Sequence, residues 1–144
     1  MNNTSLIKTK DLKATYWKEL IHAKKVQPDI IVNKQVDAIS FYISPQGKDR
    51  IITHYLNEQV ALLYRYADKE IVGLRIESFE KSFIPKYAKL QQVWKLRNAY
   101  VHNAEFSNTT LEITKKAWPV AEELFKITKP IINKQGVDLE PILA

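Results

Sequence analysis

Three polar residues in a short segment of the C-terminal half have side chains that could do chemistry together. Arg97, Asn98 and His102 lie close in the chain. Histidine has an unperturbed pKa of about 6.5 and can transfer protons near neutral pH. Arginine offers a planar fork of donors that matches a phosphate, and asparagine can orient the histidine or bind a phosphate oxygen. These residue types suit cleavage of RNA by its own 2′-hydroxyl, which needs no metal.

The spacing of these residues places a condition on such a site. On an ideal helix Asn98 and His102 share a face, whereas Arg97 and His102 are about 140° apart. Convergence therefore requires the helix to end near Tyr100, or a symmetry mate that supplies a second set of groups. An arginine followed at this spacing by a histidine also arises by chance, since the chain holds three histidines. Three interpretations stay open: a catalytic site, a non-catalytic binder of RNA or protein, and coincidence.

The wider segment resembles a known superfamily. Leu96-Arg97-Asn98 followed by Val101-His102 is similar to the Arg-polar-x-x-x-His mark of the HEPN superfamily (higher eukaryotes and prokaryotes nucleotide-binding domain). The resemblance extends over roughly residues 85–134. It implies an RNA-directed protein, and specifically a metal-independent, dimeric endoribonuclease of a toxin–antitoxin or defence system with no cofactor. His102 would then be the general acid or base, Arg97 would contact the scissile phosphate, and Asn98 would orient the histidine.

The N-terminal part of the chain shows the periodicity of an amphipathic helix. Leu12, Tyr16, Leu20 and Ala23 recur at helical spacing between about residues 10 and 25. Pro28 ends this helix, because proline disfavours helical geometry in the residue before it. The apolar residues that follow Pro28 could form a short strand or a buried linker.

Between residues 37 and 79 the period changes to two. Four runs are rich in β-branched and aromatic residues, and short polar turns such as Asn57-Glu58 separate them: DAISFYIS, DRIITHYL, QVALLYRYA and EIVGLRIESF. Short turns join antiparallel neighbours, so we expect a four-strand β-meander. One face would carry the following residues: Ile39, Phe41, Ile43, Val72, Leu74 and Ile76. The amphipathic helices are the only candidates to cover it.

This stretch also resembles a family of very short bacterial proteins built on a β-meander, whose function is unknown. The matching residues are Asp37-Ala38, Phe41-Tyr42-Ile43, residues 60–66 and residues 71–76. The resemblance covers about a third of the chain. It supports the fold and names no chemistry.

The C-terminal part is predicted to be helical. Pro85 is well placed in the first turn of one helix. A second helix is expected to begin after Thr109 and to run to about Lys134, with a kink at Pro119. The predicted fold class is therefore α+β, with a four-strand antiparallel β-meander covered by an N-terminal helix and a C-terminal helical hairpin. We expect a single domain over residues 1–144, comprising a basic helical arm (1–36), the meander (37–79) and the hairpin (80–144).

Composition narrows the class of protein. The chain has 144 residues, no cysteine and a net charge of +6. The charge suits an anionic partner, nucleic acid first, although lysine-rich helices are also ordinary solvated surface. No apolar run is long enough to span a bilayer, and the N-terminus lacks the apolar core of a signal peptide. We therefore expect a cytoplasmic protein that does not enter a membrane.

The remaining polar residues have ordinary explanations. His22 and His54 read as surface or half-buried histidines, and three aspartates at strand ends read as turn residues: Asp37, Asp49 and Asp68. No metal site is expected. Four tyrosines near Arg65 and Arg75 could form a stacking platform for single-stranded nucleic acid, but such residues are more often cross-strand pairs: Tyr42, Tyr55, Tyr64 and Tyr66. The alternative function is a non-catalytic, antitoxin-like accessory module that binds protein or nucleic acid.

Overall fold

The computed structural model describes residues 7–22, 29–43, 49–94, 110–113 and 118–137. Within these ranges the helices are α1 (Thr15–His22), α2 (a helix that includes residues 88–94) and α3 (Trp118–Lys134). The strands are β1 (Asp29–Asn33), β2 (Ala38–Tyr42), β3 (Ile51–Tyr55), β4 (Val60–Arg65), β5 (Ile71–Ile76) and β6 (Thr110–Ile113). Short helical turns occupy Thr9–Asp11, Phe79–Phe83 and Ile84–Lys86. The α+β class predicted from the sequence is confirmed.

The six strands form one antiparallel sheet with the order β3-β4-β5-β2-β1-β6. All four strands predicted between residues 37 and 79 are present. The prediction of a simple four-strand meander is wrong, because β2 pairs with β5 and not with β3. The four strands make a Greek key instead. Since β2 and β3 are three strand spacings or about 14 Å apart, a tight hairpin turn cannot join them.

The segment after Pro28 forms strand β1, which was one of the two alternatives left by the sequence. It pairs with β2 on one side and with β6 on the other. In the turn that follows, the side-chain oxygen of Asn33 accepts the backbone N–H groups of Gln35 (3.1 Å) and Val36 (3.4 Å). Asp37 completes the turn with a φ of 54°, in the left-handed region that aspartate tolerates better than most residues.

The C-terminal part differs from the predicted helical hairpin. Residues Thr110–Ile113 form strand β6 at the edge of the sheet, and α3 begins only at Trp118. The expected continuous helix from Thr109 onward is therefore wrong. Pro119 stands in the first turn of α3, where a backbone N–H has no partner within the helix, so no kink is required there. One sheet thus takes strands from all three predicted segments of the chain.

One face of the sheet carries the hydrophobic core. The strand registers align Phe41, Leu74 and Leu62 across β2, β5 and β4, and each is at most 1% exposed. The ring of Phe125 in α3 lies 5.2 Å from the ring of Phe41 and 5.2 Å from that of Trp17 in α1. Both contacts are edge-to-face, a preferred arrangement of aromatic pairs. Helices α1 and α3 therefore both cover this face.

Gly73 marks the closest approach between β5 and β2. A Cβ atom at this position would lie 2.2 Å from the backbone oxygen of Phe41. The register of β4 against β5 shifts beside it, between Leu63 and Tyr64. The pairing of β2 with β5 therefore depends on the absence of a side chain at residue 73.

The segment before α1 is tied to the turn between β4 and β5. The N–H of Lys13 donates to the carbonyl of Lys69 (2.9 Å), and the N–H of Ile71 donates to the carbonyl of Lys13 (2.8 Å). Glu70 accepts the N–H of Tyr16 in the first turn of α1 at 2.8 Å. These bonds fix the surroundings of the β4–β5 turn. Among the described helices, none is long and apolar enough to cross a membrane.

Candidate nucleic-acid interface

The three residues of the predicted ribonuclease motif, Arg97, Asn98 and His102, lie outside the described residues. The helix before them is well anchored. The indole N–H of Trp94 donates to Glu80 at 2.7 Å, and its ring meets that of Phe79 edge-on at 5.0 Å. On the far side of the motif the chain enters the sheet as β6. The two flanks are therefore fixed, and the motif itself stays a prediction.

The histidine on β3 has a structural environment. His54 is half-buried, and its Nε2 atom lies 2.7 Å from the hydroxyl oxygen of Thr9. Burial lowers the pKa of His54 from its ordinary value of 6.5. The side chain of His22 lies outside the described part. Among the described residues, no group of three or more histidine, cysteine or carboxylate side chains could hold a metal ion.

Asp37 and Asp68 act as turn residues, as predicted. The carboxylate of Asp37 accepts the N–H groups of Glu80 (2.8 Å) and Lys81 (3.0 Å), which joins the start of β2 to the helical turn Phe79–Phe83. Asp68 accepts the N–H of Glu70 at 3.1 Å in the β4–β5 turn. These bonds leave the two carboxylates in structural roles.

The four tyrosines that the sequence offered as a possible stacking platform do not share one surface. Tyr64 is 5% exposed and belongs to the core, and Tyr42 is half-buried on β2. Tyr55 and Tyr66 are each 51% exposed. Tyr55 lies at the end of β3, where its hydroxyl donates to Glu77 at 2.5 Å. The platform of four rings is therefore wrong, and only Tyr55 and Tyr66 present a large exposed ring surface.

The arginine next to Tyr55 is already bound to a carboxylate. Arg75 donates to the same Glu77 oxygen at 2.6 Å and to the hydroxyl of Ser40 at 3.4 Å. Burial raises the pKa of the Glu77 carboxyl, but the hydrogen bonds from Tyr55 and Arg75 and the charge of Arg75 outweigh it and lower that pKa. Arg75 and Glu77 thus neutralise each other. This cluster supports the sheet and offers no free cation to a phosphate.

Arg65 is paired in the same way. Its guanidinium donates two bonds to Asp68, at 3.3 Å and 2.9 Å, and lies over the ring of Tyr16 at 4.8 Å. Two parallel bonds to one carboxylate hold an arginine firmly. Arg65 therefore connects the β4–β5 turn to α1 as a structural residue.

Two cations lie over the exposed ring of Tyr66. The guanidinium carbon of Arg50 lies 4.5 Å from the ring centre, and Nζ of Lys69 lies 4.7 Å from it. The backbone holds all three in place: the N–H of Tyr66 donates to the carbonyl of Arg50 (2.9 Å), and Nζ of Lys69 donates to the carbonyl of Tyr66 (3.0 Å). We refer to Arg50, Tyr66 and Lys69 as the Tyr66 cluster.

Neither cation of the Tyr66 cluster is neutralised. In the described part of the chain, no carboxylate forms an ion pair with Arg50 or Lys69. An exposed aromatic ring offers a surface on which a base can stack, and an unpaired cation offers donors to a phosphate. The cluster therefore combines the two elements that single-stranded nucleic acids require. The sequence interpretation had singled out Tyr66 but neither Arg50 nor Lys69: the proximity of Arg50 depends on the register of the β3–β4 hairpin, and that of Lys69 on the local β4–β5 turn.

No family model, curated protein or solved structure matches the chain. The geometry of the described residues, together with the charge of the chain, is therefore the basis for a functional assignment.

Proposed function

We propose that this chain is a non-enzymatic RNA-binding protein that holds single-stranded RNA at the Tyr66 cluster. The observation that carries the proposal is the position of Arg50 and Lys69 within 5 Å of the centre of an exposed tyrosine ring. A base would stack on the ring of Tyr66 in place of a cation that lies over it, and the phosphates on either side of that base would bind the two cations.

Electrostatics distinguishes this cluster from the other arginine sites of the sheet. Arg65 and Arg75 are each within 3 Å of a carboxylate oxygen, at 2.9 Å and 2.6 Å respectively. A phosphate would have to displace those carboxylates. In the described part of the chain Arg50 and Lys69 have no carboxylate partner to displace, and the net charge of +6 attracts an anionic strand to the protein as a whole.

The contacts of the Tyr66 cluster could also serve stability alone. Cation–π pairs at exposed sites contribute about 0.5–1 kcal/mol to folding. Base stacking on an aromatic side chain contributes about 1–3 kcal/mol to binding. A substitution at Tyr66 that greatly weakens RNA binding while changing the unfolding free energy little would therefore assign the cluster to binding.

The proposal is tested by fluorescence anisotropy with a labelled single-stranded RNA of mixed sequence. Tyr66→Ala is expected to weaken binding by about 5- to 150-fold, which corresponds to the loss of one stacked base. Tyr66→Phe keeps the ring and should keep most of the affinity. Tyr55→Ala is a matched control, because Tyr55 has the same exposed fraction of 51% but no cation over its ring among the described residues.

Equal affinities of wild type, Tyr66→Ala and Tyr55→Ala would contradict the proposal, as would the absence of any RNA binding by the wild type. Single-stranded DNA of the same sequence, measured in parallel, separates recognition of RNA from a general affinity for single strands.

Endoribonuclease activity is the second candidate, and the anchoring of Trp94 favours it. The contact with Glu80 anchors the helix at Trp94, three residues before Arg97 in the sequence. If the chain has this activity, the wild type cleaves RNA in the presence of EDTA and His102→Ala does not. RNA binding without cleavage would support the non-enzymatic function. Equal cleavage by the wild type and His102→Ala would exclude His102 as the catalytic group.

A further inference from the structure

Strand β3 lies at one edge of the described sheet, and part of its backbone N–H and C=O groups point away from the sheet. Among the described strands, β3 pairs only with β4. The carbonyl of Arg50 and the N–H of Leu56 both bond to the β4 side, to Tyr66 and Val60 respectively. Because backbone groups alternate in direction along a strand, residues 51, 53 and 55 direct their N–H and C=O groups to the open edge.

Within residues 51–55 the strand itself lacks several of the sequence features by which proteins prevent edge pairing. Such features include lysine or other charged residues, proline and β-bulges. The strand reads Ile-Ile-Thr-His-Tyr from residue 51 to residue 55, and the register shift of this sheet lies between β4 and β5 instead. The opposite edge strand, β6, carries Glu112. Strand β3 is therefore the edge that is open to pairing with another strand.

We propose that β3 pairs antiparallel with β3 of a second copy of this chain, about a two-fold axis at Thr53. The axis places Thr53 opposite Thr53 of the second copy, and Ile51 opposite Tyr55 on both sides. Each of these three pairs exchanges two backbone bonds, so the pairing makes about six. An axis one residue further along, at His54, would give fewer bonds. It leaves only the two pairs in which residue 53 of one copy lies opposite residue 55 of the other, with about four bonds.

The side chains of β3 are compatible with this pairing. On the face opposite the helices α1 and α3, Ile51 would lie opposite Tyr55 of the second copy, and an aromatic side chain opposite a β-branched one stabilises antiparallel strands. On the helix-covered face, Ile52 would lie opposite His54. No carboxylate, lysine or arginine of the strand faces a like charge. The same surface serves both copies, as a two-fold interface requires.

The pairing is expected to be weak and dependent on concentration. One five-residue strand from each copy forms an interface at the small end of the range for specific complexes. The association should therefore be observed at micromolar or higher protein concentration.

A single introduced cysteine tests the pairing. The chain has no cysteine, so any disulfide must join the introduced residues. In the proposed pairing the two Cα atoms at position 53 are about 5.5 Å apart, which is within the Cα range for a disulfide, and the Cβ atoms of this hydrogen-bonded pair must move about 1 Å closer for the bond to form. Under mild oxidation Thr53→Cys should give a covalent dimer on a non-reducing gel. Val36→Cys is the control, because Val36 is 54% exposed in the β1–β2 turn, away from β3. Equal cross-linking rates of the two variants would overturn the proposal.

Sedimentation velocity gives a second measurement that does not depend on cysteine. The mass of the wild type should rise with concentration from 16.8 kDa towards twice that value. Thr53→Lys places two like charges on the axis and should remain monomeric, whereas Val36→Lys should associate like the wild type. A wild type that stays monomeric at millimolar concentration would contradict the pairing. Neither measurement involves RNA, so the result is independent of the proposed function.

Discussion

Arg50 and Tyr66 face each other at the end of the β3–β4 ladder. The backbone N–H of Tyr66 donates to the carbonyl of Arg50 at 2.9 Å, and the guanidinium carbon lies 4.5 Å from the centre of the tyrosine ring. Strand pairing and side-chain contact therefore place the same two residues together. A cation held beside an exposed ring before a ligand arrives loses less conformational freedom on binding, which favours affinity.

Removing both cations of the Tyr66 cluster should reduce the salt dependence of RNA binding. Each phosphate contact to a single strand contributes about 0.7 to the slope of log K against log salt. The double variant Arg50→Ala/Lys69→Ala should therefore bind with a slope shallower by about 1.4, measured by anisotropy at several salt concentrations. Lys81→Ala/Lys134→Ala removes the same charge at two other exposed lysines and should keep the slope. An equal change in both double variants would indicate attraction to overall charge alone.

Gly73→Ala should destabilise the fold strongly. The new methyl group would meet the carbonyl oxygen of Phe41, which belongs to the neighbouring strand and cannot rotate away. We expect a loss of about 3 kcal/mol in the free energy of unfolding, measured by urea denaturation. Gly136→Ala is the comparison, because the nearest atom to its Cβ is 3.5 Å away and only its φ of 96° opposes a side chain. That variant should lose about 1 kcal/mol, and a smaller loss for Gly73→Ala would contradict the close approach of β2 and β5.

Stability should fall at mildly acidic pH because of His54. Its pKa is lowered by burial in the folded protein, so the unfolded chain binds more protons as the pH falls below about 6.5. The free energy of unfolding therefore decreases from pH 7.5 to pH 5.5. His54→Gln can keep a hydrogen bond to Thr9 but does not titrate, so it should show a weaker pH dependence in the same urea experiments. Identical pH dependence of the two proteins would rule out His54 as the cause.

The strands and their core face could be predicted from the sequence to a large extent. The two-residue period located β2, β3, β4 and β5, and it placed Phe41 and Leu74 on one face, where the structure pairs them. The partner of β2 could not be predicted, because alternation fixes which residues are buried and not which strands are neighbours. The close contact of Gly73 with Phe41 is a tertiary feature that no local pattern shows.

Strand β6 was missed for a related reason. It has four residues and stands directly before a long helix, so its side chains extended the helical period of α3 in the sequence. Pairing with β1 determines its conformation. Such tertiary contacts override local preference in short segments.

The contact between Arg50 and Tyr66 depends on the register of β3 against β4, and one residue of shift would remove it. The predicted turn Asn57-Glu58 would pair Leu56 with Gln59 and Arg50 with Arg65. In the structure the N–H of Leu56 donates to the carbonyl of Val60, so the loop has one more residue and Arg50 lies opposite Tyr66. A shift of one residue exchanges the faces of a strand. The contact of Arg50 with Tyr66 could therefore be found only from the structure.

The most direct test of the RNA-binding proposal is to map the contact on the protein by NMR. Backbone amide shifts of the labelled protein are followed while a short single-stranded RNA is added. We predict that the largest shift changes occur at residues 49–50 and 66–70, around the Tyr66 cluster, and that they vanish in Tyr66→Ala. Shift changes concentrated around Arg97 and His102, or none at any residue, would contradict binding at Tyr66.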